Sequence, residues 1–326
     1  MNLFMNIDIQ KISNLFKSKH IVVVGDVMLD KYLEGNVSRI SPEAPVPIVD
    51  IEKIFSHAGG AANVARNING LGGQTTLVGV IGNDHNGRSL TEILKKDSNI
   101  NQELIVDESR DTTTKTRIIS DDQQLLRLDH EDHAPISSKI IEKIQSKFNN
   151  ISLPIDGIII QDYDKGLLSE RLISWIMSHA TKEMIPVYID PKKNFYPFFK
   201  GARLCKPNQK EFNQLAGDYN DFAEASKKII SDYKFEVLLV TKGNRGLSFF
   251  ENGYQTDIPA IIKQVHDVSG AGDTVISTFS LCDSIHLNLK DSAYISNVAA
   301  SIVCGIPGVV PITKDLLINS AGKYFD

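Results

Sequence analysis

The sequence predicts an α/β protein in which helices cover both faces of a mainly parallel sheet and a small second sheet projects from it. Short β-branched runs alternate along the chain with amphipathic helical patterns, beginning with the apolar run at 20–25. Strands separated by helices of this length are typical of parallel sheets. Two stretches, 32–54 and 112–128, break the alternation. We expect these two stretches to form the second sheet.

Composition and charge exclude several classes of protein. The 326 residues are 42% hydrophobic and 23% charged, which is typical of a globular protein with a sizeable core. A net charge of −5 and no Lys/Arg run longer than two residues argue against a nucleic-acid partner. No apolar stretch approaches the roughly 18 residues of a membrane span, and the polar N-terminus is not a signal peptide. We therefore expect a cytoplasmic protein without a membrane partner.

The cysteines indicate neither a disulfide framework nor a zinc cluster. They are three in number and scattered along the chain, whereas both kinds of site need grouped or regularly spaced cysteines. The two cysteines nearest the C-terminus, Cys282 and Cys304, are expected in the core of helices.

The first strand is predicted at 20–25, and Asp26 and Asp30 follow it. Open α/β sheets bind ligands beyond the carboxyl ends of their strands. A contact between ligand and at least one of these carboxylates is therefore one interpretation, and a solvated turn is the other.

The projecting sheet is predicted from two features. Three prolines within six residues exclude a central strand or a helix and favour an edge strand or a flap; they are Pro42, Pro45 and Pro47. Further on, strands predicted at 112–120 and 123–128 surround the polar turn Asp121–Asp122, which is the pattern of a hairpin.

A glycine pair followed by a small-residue helix occupies 56–73. Gly59 and Gly60 allow close approach of the backbone to a ligand. Asn63 lies one turn into the helix and could reach back toward that ligand. A helix packed tightly for its own sake is the alternative.

In the second half, strands predicted at 157–160 and 187–190 end in polar loops that face the same crevice. A later strand end runs into a helix with Asn208 and Glu211 on one face. An amide and a carboxylate at this spacing suit Mg²⁺ contact through water near phosphates. They equally suit a helix capping box, and both interpretations stay open.

The stretch HDVSGAGDTVIST at 266–278 contains the candidate anion-binding turn and the candidate catalytic carboxylate. An extended lead-in precedes Gly270–Ala271–Gly272, and Asp273 then opens an apolar helix. Small residues let backbone N–H groups surround an anion, and the helix adds its positive end. A carboxylate here is better explained as a base that deprotonates a hydroxyl attacking a phosphoryl group. The alternative is an ordinary capped loop.

Two common nucleotide-binding motifs are absent from the sequence. There is no GxxxxGK[ST] pattern, and the glycines at 270 and 272 lack the third glycine of a dinucleotide fingerprint. A P-loop protein and a Rossmann dehydrogenase are therefore disfavoured.

Taken together, GGAANVA at 59–65 and DVSGAGDT at 267–274 resemble the motifs of the ribokinase-like (PfkB) carbohydrate kinases. KPNQKE and TKGNRG lie between them in the family's order, and the resemblance covers nearly the whole chain. Within the family, the segments 25–49 and 112–129 resemble the D-glycero-β-D-manno-heptose 7-phosphate kinases of ADP-heptose biosynthesis. The resemblance implies a three-layer Rossmann-like core with a β-lid. It also implies phosphorylation of the sugar's C1 hydroxyl by ATP, in the route to lipopolysaccharide core.

The resemblance also implies roles for individual residues. Asp273 would be the catalytic base beside an anion hole formed by Gly270, Ala271 and Gly272. The nucleotide contacts would be Asn208, Glu211, Thr241, Lys242, Gly243 and Gly246. The sugar contacts would be Asp26, Asp30, Gly59, Gly60 and Asn63. Glu211 would meet Mg²⁺ through water, and Asp267 would bind a monovalent cation such as K⁺.

Domain boundaries follow from the same reading. We expect a kinase core at 1–33, 52–110 and 130–326, and a β-lid at 34–51 and 111–129. A small two-faced sheet with exposed edges invites pairing with a second copy, so we expect a homodimer through the lid.

Two departures from the heptose kinases affect the expected substrate. Many of them continue into a nucleotidyltransferase domain, but this sequence has no HxGH motif, and we expect the kinase step alone. The acidic turn at Asp121–Asp122 is unsuited to a sugar phosphate, so its contact would fall to Arg117, Arg127 or Lys165.

Arg117 is the first choice for that contact. A guanidinium binds phosphate through two donors at once, and strand alternation places Lys115 on the same face. The alternative is that both cations only keep an exposed lid face soluble.

Two other functions stay open. One is a kinase of the same fold for an unphosphorylated or different sugar, and the other is a catalytically silent sugar- or nucleotide-binding protein. Asp273 behind an intact Gly-Ala-Gly argues against the silent protein.

Overall fold

The computed structural model describes residues 7–121, 123–192, 195–217, 219, 221–261, 267–306 and 308–320. In chain order its strands are β1 (His20–Gly25), β2 (Val27–Ile40), β3 (Pro47–Gly60), β4 (Gln74–Ile81), β5 (Ile100–Val106), β6 (Thr114–Ser120), β7 (Gln123–His130), β8 (Gly157–Gln161), β9 (Val187–Asp190), β10 (Leu204–Cys205), β11 (Val237–Thr241), β12 (Leu247–Glu251) and β13 (Tyr254–Ile258). Its α-helices are α1 (Ile9–Leu15), α2 (Ala61–Gly70), α3 (His85–Leu94), α4 (Ser138–Asn149), α5 (Glu170–Lys182), α6 (Gln209–Ala216), α7 (Phe222–Tyr233), α8 (Ala271–Ser284), α9 (Leu289–Cys304) and α10 (Lys314–Asn319). His266, with which the predicted lead-in begins, lies outside the described residues.

The main sheet has nine strands in the order β13-β12-β11-β10-β9-β8-β1-β4-β5. All neighbours from β5 to β11 are parallel, and β12 and β13 are antiparallel. After β1 the chain adds β4 and β5 on one side and later β8 to β11 on the other. The order thus reverses at β1, where open α/β sheets form a crevice for ligands.

Helices cover both faces of this sheet, as β1 shows most clearly. Ile21 and Val23 belong to one buried apolar cluster, which includes Phe279 of α8. Val22 and Val24 belong to a second cluster, on the opposite face, which includes Ile173 of α5. Successive strand residues point to opposite faces, so a strand buried on both faces reads as an unbroken apolar run. The predicted fold class is confirmed.

The second sheet has four strands in the order β3-β2-β6-β7. β2 starts at Val27, immediately after β1, and β3 runs into α2 at Gly60. The strands therefore extend beyond 34–51, toward the main sheet. Pro42 and Pro45 lie in the connection between them, and Pro47 begins β3. The predicted hairpin is confirmed as the antiparallel pair β6–β7, although Asp122 of its turn lies outside the described residues.

The two sheets meet at a close backbone approach. Gly60 has a φ of +60°, and the Ala61 amide behind it donates to the Asp26 carbonyl at 2.9 Å. A Cβ on Gly60 would overlap that carbonyl. Only glycine combines this φ with the absence of a side chain, so the helix α2 can start directly against the end of β1.

The lengths of the helices and the state of the cysteines are two further features of the fold. Within the described ranges, no helix is long and apolar enough to cross a membrane. Cys205 and Cys282 are buried and Cys304 is partly buried, all as free thiols.

Candidate active site

A cavity of about 680 Å³ opens beyond the carboxyl ends of the central strands. Its wall combines the loops after β8 and β9, the start of α6, the turn after β11 and the first turn of α8. The strand-end segments predicted in the second half of the chain thus converge on one space. The predicted sugar contacts Asp26, Asp30, Gly59, Gly60 and Asn63 do not line it.

The first turn of α8 presents backbone donors to this cavity. Gly270 has a φ of +80°, and a Cβ there would lie 2.7 Å from Asn63 Nδ2. The Ala271 amide is already used, since it donates to the Val268 carbonyl at 3.2 Å. The amides of Gly272 and Asp273 have no hydrogen-bond acceptor among the described residues. These two N–H groups at a helix start are suited to an anion.

Asp273 itself is buried, with 3% of its surface exposed. Its Oδ2 accepts a hydrogen bond from Asn63 at 2.8 Å. Its Oδ1 accepts from the Tyr163 hydroxyl at 2.7 Å and from the Gln161 amide at 3.2 Å. The pKa of Asp273 is raised to about 7: burial raises it most, the Asn63 and Tyr163 hydrogen bonds lower it, and the nearby Asp190 carboxylate adds to the rise. A carboxyl with this pKa can take up a proton at neutral pH.

Asp26 holds the loop that carries Tyr163. Its Oδ2 accepts the amides of Tyr163 and Lys165 at 2.9 and 3.1 Å, and its Oδ1 accepts that of Leu167 at 3.2 Å. Burial raises the pKa of Asp26 to about 6 despite these bonds. The carboxylate that the sequence placed near ligand is thus occupied by backbone donors.

Asp30 and Arg117 form an ion pair on the lid face nearest the core. Arg117 Nη1 lies 2.6 Å from Asp30 Oδ1, and the guanidinium also stands over the Tyr32 ring at 5.3 Å. Gly59 lies against this pair, because a Cβ on it would overlap the Asp30 carboxylate.

A second group of charges lies where the lid meets the loop after β8. Lys165 Nζ lies 2.8 Å from Glu131 Oε1, and Lys115 Nζ lies 3.2 Å from Glu131 Oε2. The pKa of Glu131 falls to about 2, because the two ammonium groups outweigh its desolvation. Arg127 pairs with Asp129 of its own strand at 2.9 Å.

One wall of the cavity consists of the start of α6 and the turn after β11. Asn208 caps α6 by accepting the Glu211 amide at 2.9 Å, and Glu211 Oε2 accepts the Asn208 amide at 2.9 Å. The capping interpretation is therefore confirmed. Glu211 Oε1 also binds Lys192 at 3.1 Å.

The turn after β11 follows Thr241, which bridges to Asn208. The Lys242 amide donates to the Gly246 carbonyl at 2.8 Å, and both Gly243 and Gly246 have positive φ values, +59° and +84°. This narrow turn exposes backbone to the cavity.

Asp267 lies just before the glycine turn. Its Oδ1 accepts the Ser269 amide at 2.8 Å, and its own amide donates to the Cys304 carbonyl at 3.3 Å. Its carboxylate thus stiffens the approach to Gly270.

The cavity residues without a role in the sequence analysis include Gln161, Tyr163, Asp190 and Lys206. Their loops were placed at the crevice because they follow strands. No sequence signal marked which of their side chains would meet Asp273, since that contact crosses 110 positions in the case of Tyr163.

The fold and the cavity together define a class of phosphotransferases, enzymes that move a phosphoryl group to an alcohol. The profile described as pfkB family carbohydrate kinase matches residues 18–315. The chain belongs to this family, and the predicted resemblance is confirmed.

Curated relatives of the chain carry the name Bifunctional protein HldE. That of Caulobacter sp. (strain K31) is 37% identical over 330 residues, covering 99% of this chain and 67% of the relative. That of Methylobacillus flagellatus is 40% identical, covering 90% and 61%. That of Haemophilus influenzae is 39% identical, covering 94% and 64%. The chain thus spans about two thirds or less of the length of these relatives.

Solved structures with the same fold include Escherichia coli phosphofructokinase-2 in complex with substrates and products. Its TM-score is 0.80 at 18% identity, and the match covers 94% of this chain and 100% of that one. Arabidopsis thaliana ribokinase complexed with ribose and ATP gives 0.69 at 20% identity, covering 93% and 98%. At these identities the likeness concerns the fold.

Tyr163→Phe is expected to move the ascending limb of the pH profile of kcat/KM to higher pH. A base works in its ionised form, so with Asp273 as the base predicted from the sequence the rate would rise with pH through the pKa of Asp273. Loss of the Tyr163 hydroxyl removes a hydrogen bond that lowers this pKa. Profiles of both enzymes with a sugar acceptor measure the shift.

Tyr188→Phe is the matched control, because its buried hydroxyl binds Asp283 at 2.8 Å, outside the cavity wall. Its profile should coincide with that of the unchanged chain. An unshifted limb in Tyr163→Phe would contradict the assignment of the limb to Asp273.

Proposed function

We propose that the chain transfers the γ-phosphoryl group of ATP to the C1 hydroxyl of D-glycero-β-D-manno-heptose 7-phosphate, forming the 1,7-bisphosphate. The observation that carries the phosphoryl transfer is Asp273, a buried carboxyl with a pKa near 7 beside two unused amides of α8. The choice of sugar rests on the resemblance of the segments 25–49 and 112–129 and on the relatives named HldE.

The reaction follows from the geometry around Asp273. The sugar oxygen attacks the γ-phosphorus, its proton passes to Asp273, and the bond between the γ-phosphorus and the bridging oxygen breaks with its electron pair leaving on ADP. Asp273 is held for this by Asn63, Gln161 and Tyr163. Phosphoryl transfer needs positioning and charge neutralisation more than covalent help, and the helix start of α8 supplies both.

The two ligands would bind on different sides of Asp273. On the lid side, outside the lining of the 680 Å³ cavity, Asp30, Gly59, Gly60 and Asn63 would contact sugar hydroxyls, and Asp26 would position the loop between them and Asp273. On the other side the nucleotide would meet the α6 cap and the narrow turn after β11. The residues proposed for it are Asn208, Glu211, Thr241, Lys242, Gly243 and Gly246.

The cation sites follow the same division. Mg²⁺ bound with the nucleotide would neutralise its β- and γ-phosphates. Glu211 fits contact through water, since its two oxygens already bind Lys192 and the Asn208 amide. Among the residues the structure describes, no three His, Cys, Asp or Glu side chains form a group that could hold an ion directly, which fits a cation that arrives on phosphates. Asp267 would contribute a carboxylate to a monovalent cation beside Gly270.

Asp273→Asn is expected to lower kcat by about 10²–10⁴, the usual loss for a general base, with the Kd for ATP within several-fold. ADP release would be followed with heptose 7-phosphate, fructose 6-phosphate and ribose. Asp283→Asn on the same helix is the control, because the Asp283 carboxylate binds Arg203 and Tyr188 and does not line the cavity. Near-normal turnover by Asp273→Asn would overturn the assignment of Asp273 as the base. A preference for ribose would overturn heptose 7-phosphate as the acceptor.

Arg117→Ala is expected to raise the KM for heptose 7-phosphate by on the order of tenfold, because one charge-assisted contact is lost, with little change in the KM for ATP. Arg117 donates to Asp30 from Nη1, and a guanidinium has five N–H donors, so it can bind a phosphate as well. Unphosphorylated heptose separates the effects: its KM should stay unchanged if Arg117 contacts the phosphate.

Arg127→Ala and Lys165→Met complete this test. Arg127 is half exposed and pairs within its own strand, so the KM should stay within about twofold. If only Lys165→Met raised the KM for heptose 7-phosphate strongly, the phosphate contact would be assigned to Lys165. Because Arg117, Lys165 and Arg127 all have carboxylate partners, equal KM values for phosphorylated and unphosphorylated heptose would favour a kinase for an unphosphorylated sugar.

We further propose a homodimer through the outer face of the lid. Leu33, Ile54, Ile118 and Leu126 align across all four lid strands, and Ile54 and Leu126 are 62% and 50% exposed. On the other face Tyr32 and Arg117 turn toward the core. An apolar row on an exposed sheet face is a surface that a second copy can cover.

Ile54→Asp combined with Leu126→Asp is expected to convert the dimer to a monomer, because two carboxylates would be buried without partners. Light scattering should give twice the chain mass of 36.1 kDa for the unchanged protein and 36.1 kDa for the double variant. Leu153→Asp is the control, an exposed leucine outside the lid. A fully active monomer of the unchanged chain at micromolar concentration would contradict the proposal.

A further inference from the structure

Lys206 is a buried cation in the wall of the cavity. It follows β10, and 2% of its surface is exposed. Its Nζ lies 2.9 Å from Asp190 Oδ2. A Cβ built on Gly272 would lie 3.1 Å from the same Nζ. The ammonium therefore rests against the first turn of α8, on which the free amides of Gly272 and Asp273 lie.

The ion pair with Asp190 is also linked to the base. Gln161 Nε2 donates to Asp190 Oδ2 at 3.0 Å and to Asp273 Oδ1 at 3.2 Å. A chain of contacts thus runs from Lys206 through Asp190 and Gln161 to Asp273. The two carboxylates and the ammonium face one space, into which a phosphoryl group would have to enter between them.

A stabilising role explains this lysine poorly. Buried ion pairs are on average no more stable than apolar residues of the same volume. Arg203 shows what a structural pair in this chain looks like, since it holds Asp283 through two hydrogen bonds of 2.9 and 2.8 Å. Lys206, by contrast, has one carboxylate, that of Asp190, as its ion-pair partner in the described part of the chain, and an ammonium has three donors.

We infer that Lys206 is a catalytic residue of the transfer proposed above, and that its ammonium contacts the phosphoryl group as it passes from the nucleotide to the acceptor oxygen. The inference rests on the proposed function. Negative charge spreads over the three equatorial oxygens of the transferring group, and the carboxylates of Asp190 and Asp273 would repel it. A cation already placed beside the α8 amides offsets this repulsion without rearrangement. Asp190 is then a positioning residue that keeps the ammonium in place.

The deciding experiment compares Lys206→Met, Asp190→Asn and the double variant. Lys206→Met should lower kcat by about 10²–10³, the loss usual for one transition-state contact, with the KM for the sugar within several-fold. If Lys206 only neutralised Asp190, removing both charges would restore kcat. If it contacts the phosphoryl group, the double variant stays at least about 100-fold slow. Restored turnover in the double variant overturns the inference.

A binding measurement keeps the test independent of the sugar. Calorimetry with Mg²⁺ would compare a non-hydrolysable ATP analogue with ADP. Lys206→Met should weaken the analogue about tenfold, as expected for one charge-assisted contact, and ADP less than about twofold, because only the analogue carries the group in question. Equal losses for both nucleotides would overturn the inference, whatever sugar the enzyme accepts. Failure of the unchanged chain to bind either nucleotide would overturn the proposed function itself.

Arg203→Met provides the control for removing a partly buried paired cation. Its pair with Asp283 lies away from the cavity, so the melting temperature should fall while kcat and the ratio of the two nucleotide affinities stay within about twofold. Lys206→Arg retains the charge and, as a longer side chain, should recover part of kcat if the charge acts on the phosphoryl group. Arg203→Met losing turnover as strongly as Lys206→Met would show that buried charge loss alone explains the effect.

Discussion

The burial of one carboxylate, that of Asp273, is the constraint on which the rest of the site depends. A carboxylate with 3% exposure is costly unless donors replace water. Its donors come from the start of α2, the end of β8 and the loop after it. Those elements must therefore keep fixed positions relative to α8. The same contacts that make the carboxylate tolerable also aim it into the cavity.

Asp26 has the same role one layer further out. By accepting three backbone amides it fixes the loop that carries Tyr163, and burial raises its pKa to about 6 as it raises that of Asp273 to about 7. A folded-state pKa above the unfolded value means that the folded chain binds the proton more tightly. The stability from this source is complete below about pH 4 and is lost as the pH rises through the folded values. At neutral pH the two groups therefore contribute less stability than they do below pH 4.

Charge pairing is a second organising feature. Arg117 with Asp30 and Lys165 with Glu131 each join a cation to a carboxylate on the lid side of the site. Lys206 with Asp190 does so in the wall of the cavity. Pairing lowers the cost of holding these charges out of water before a ligand binds. It also places both signs where an anion can exchange or share partners on binding. The lid contributes the first of these pairs from its inner face, and its outer face is apolar.

Much of the architecture was determined by local sequence. The unbroken apolar run of β1, the hairpin pattern of β6–β7 and the capping box at Asn208 depend on residues a few positions apart, so their periodicity and spacing predict them. The glycine turn before Asp273 is local in the same sense, because the positive φ at Gly270 and the helix start belong to consecutive residues.

What only the tertiary structure decided is which side chains meet across the sheet. Tyr163 reaches Asp273 over 110 positions, and Arg117 reaches Asp30 over 87. The sequence placed the loops of Gln161 and Asp190 at the crevice but assigned no partner to either, and it gave Lys206 no role. Such contacts depend on strand order and on the angle between two sheets, which are set by packing of the whole chain. Local spacing carries no information about them, because the same residues could face any neighbour until the sheet is assembled.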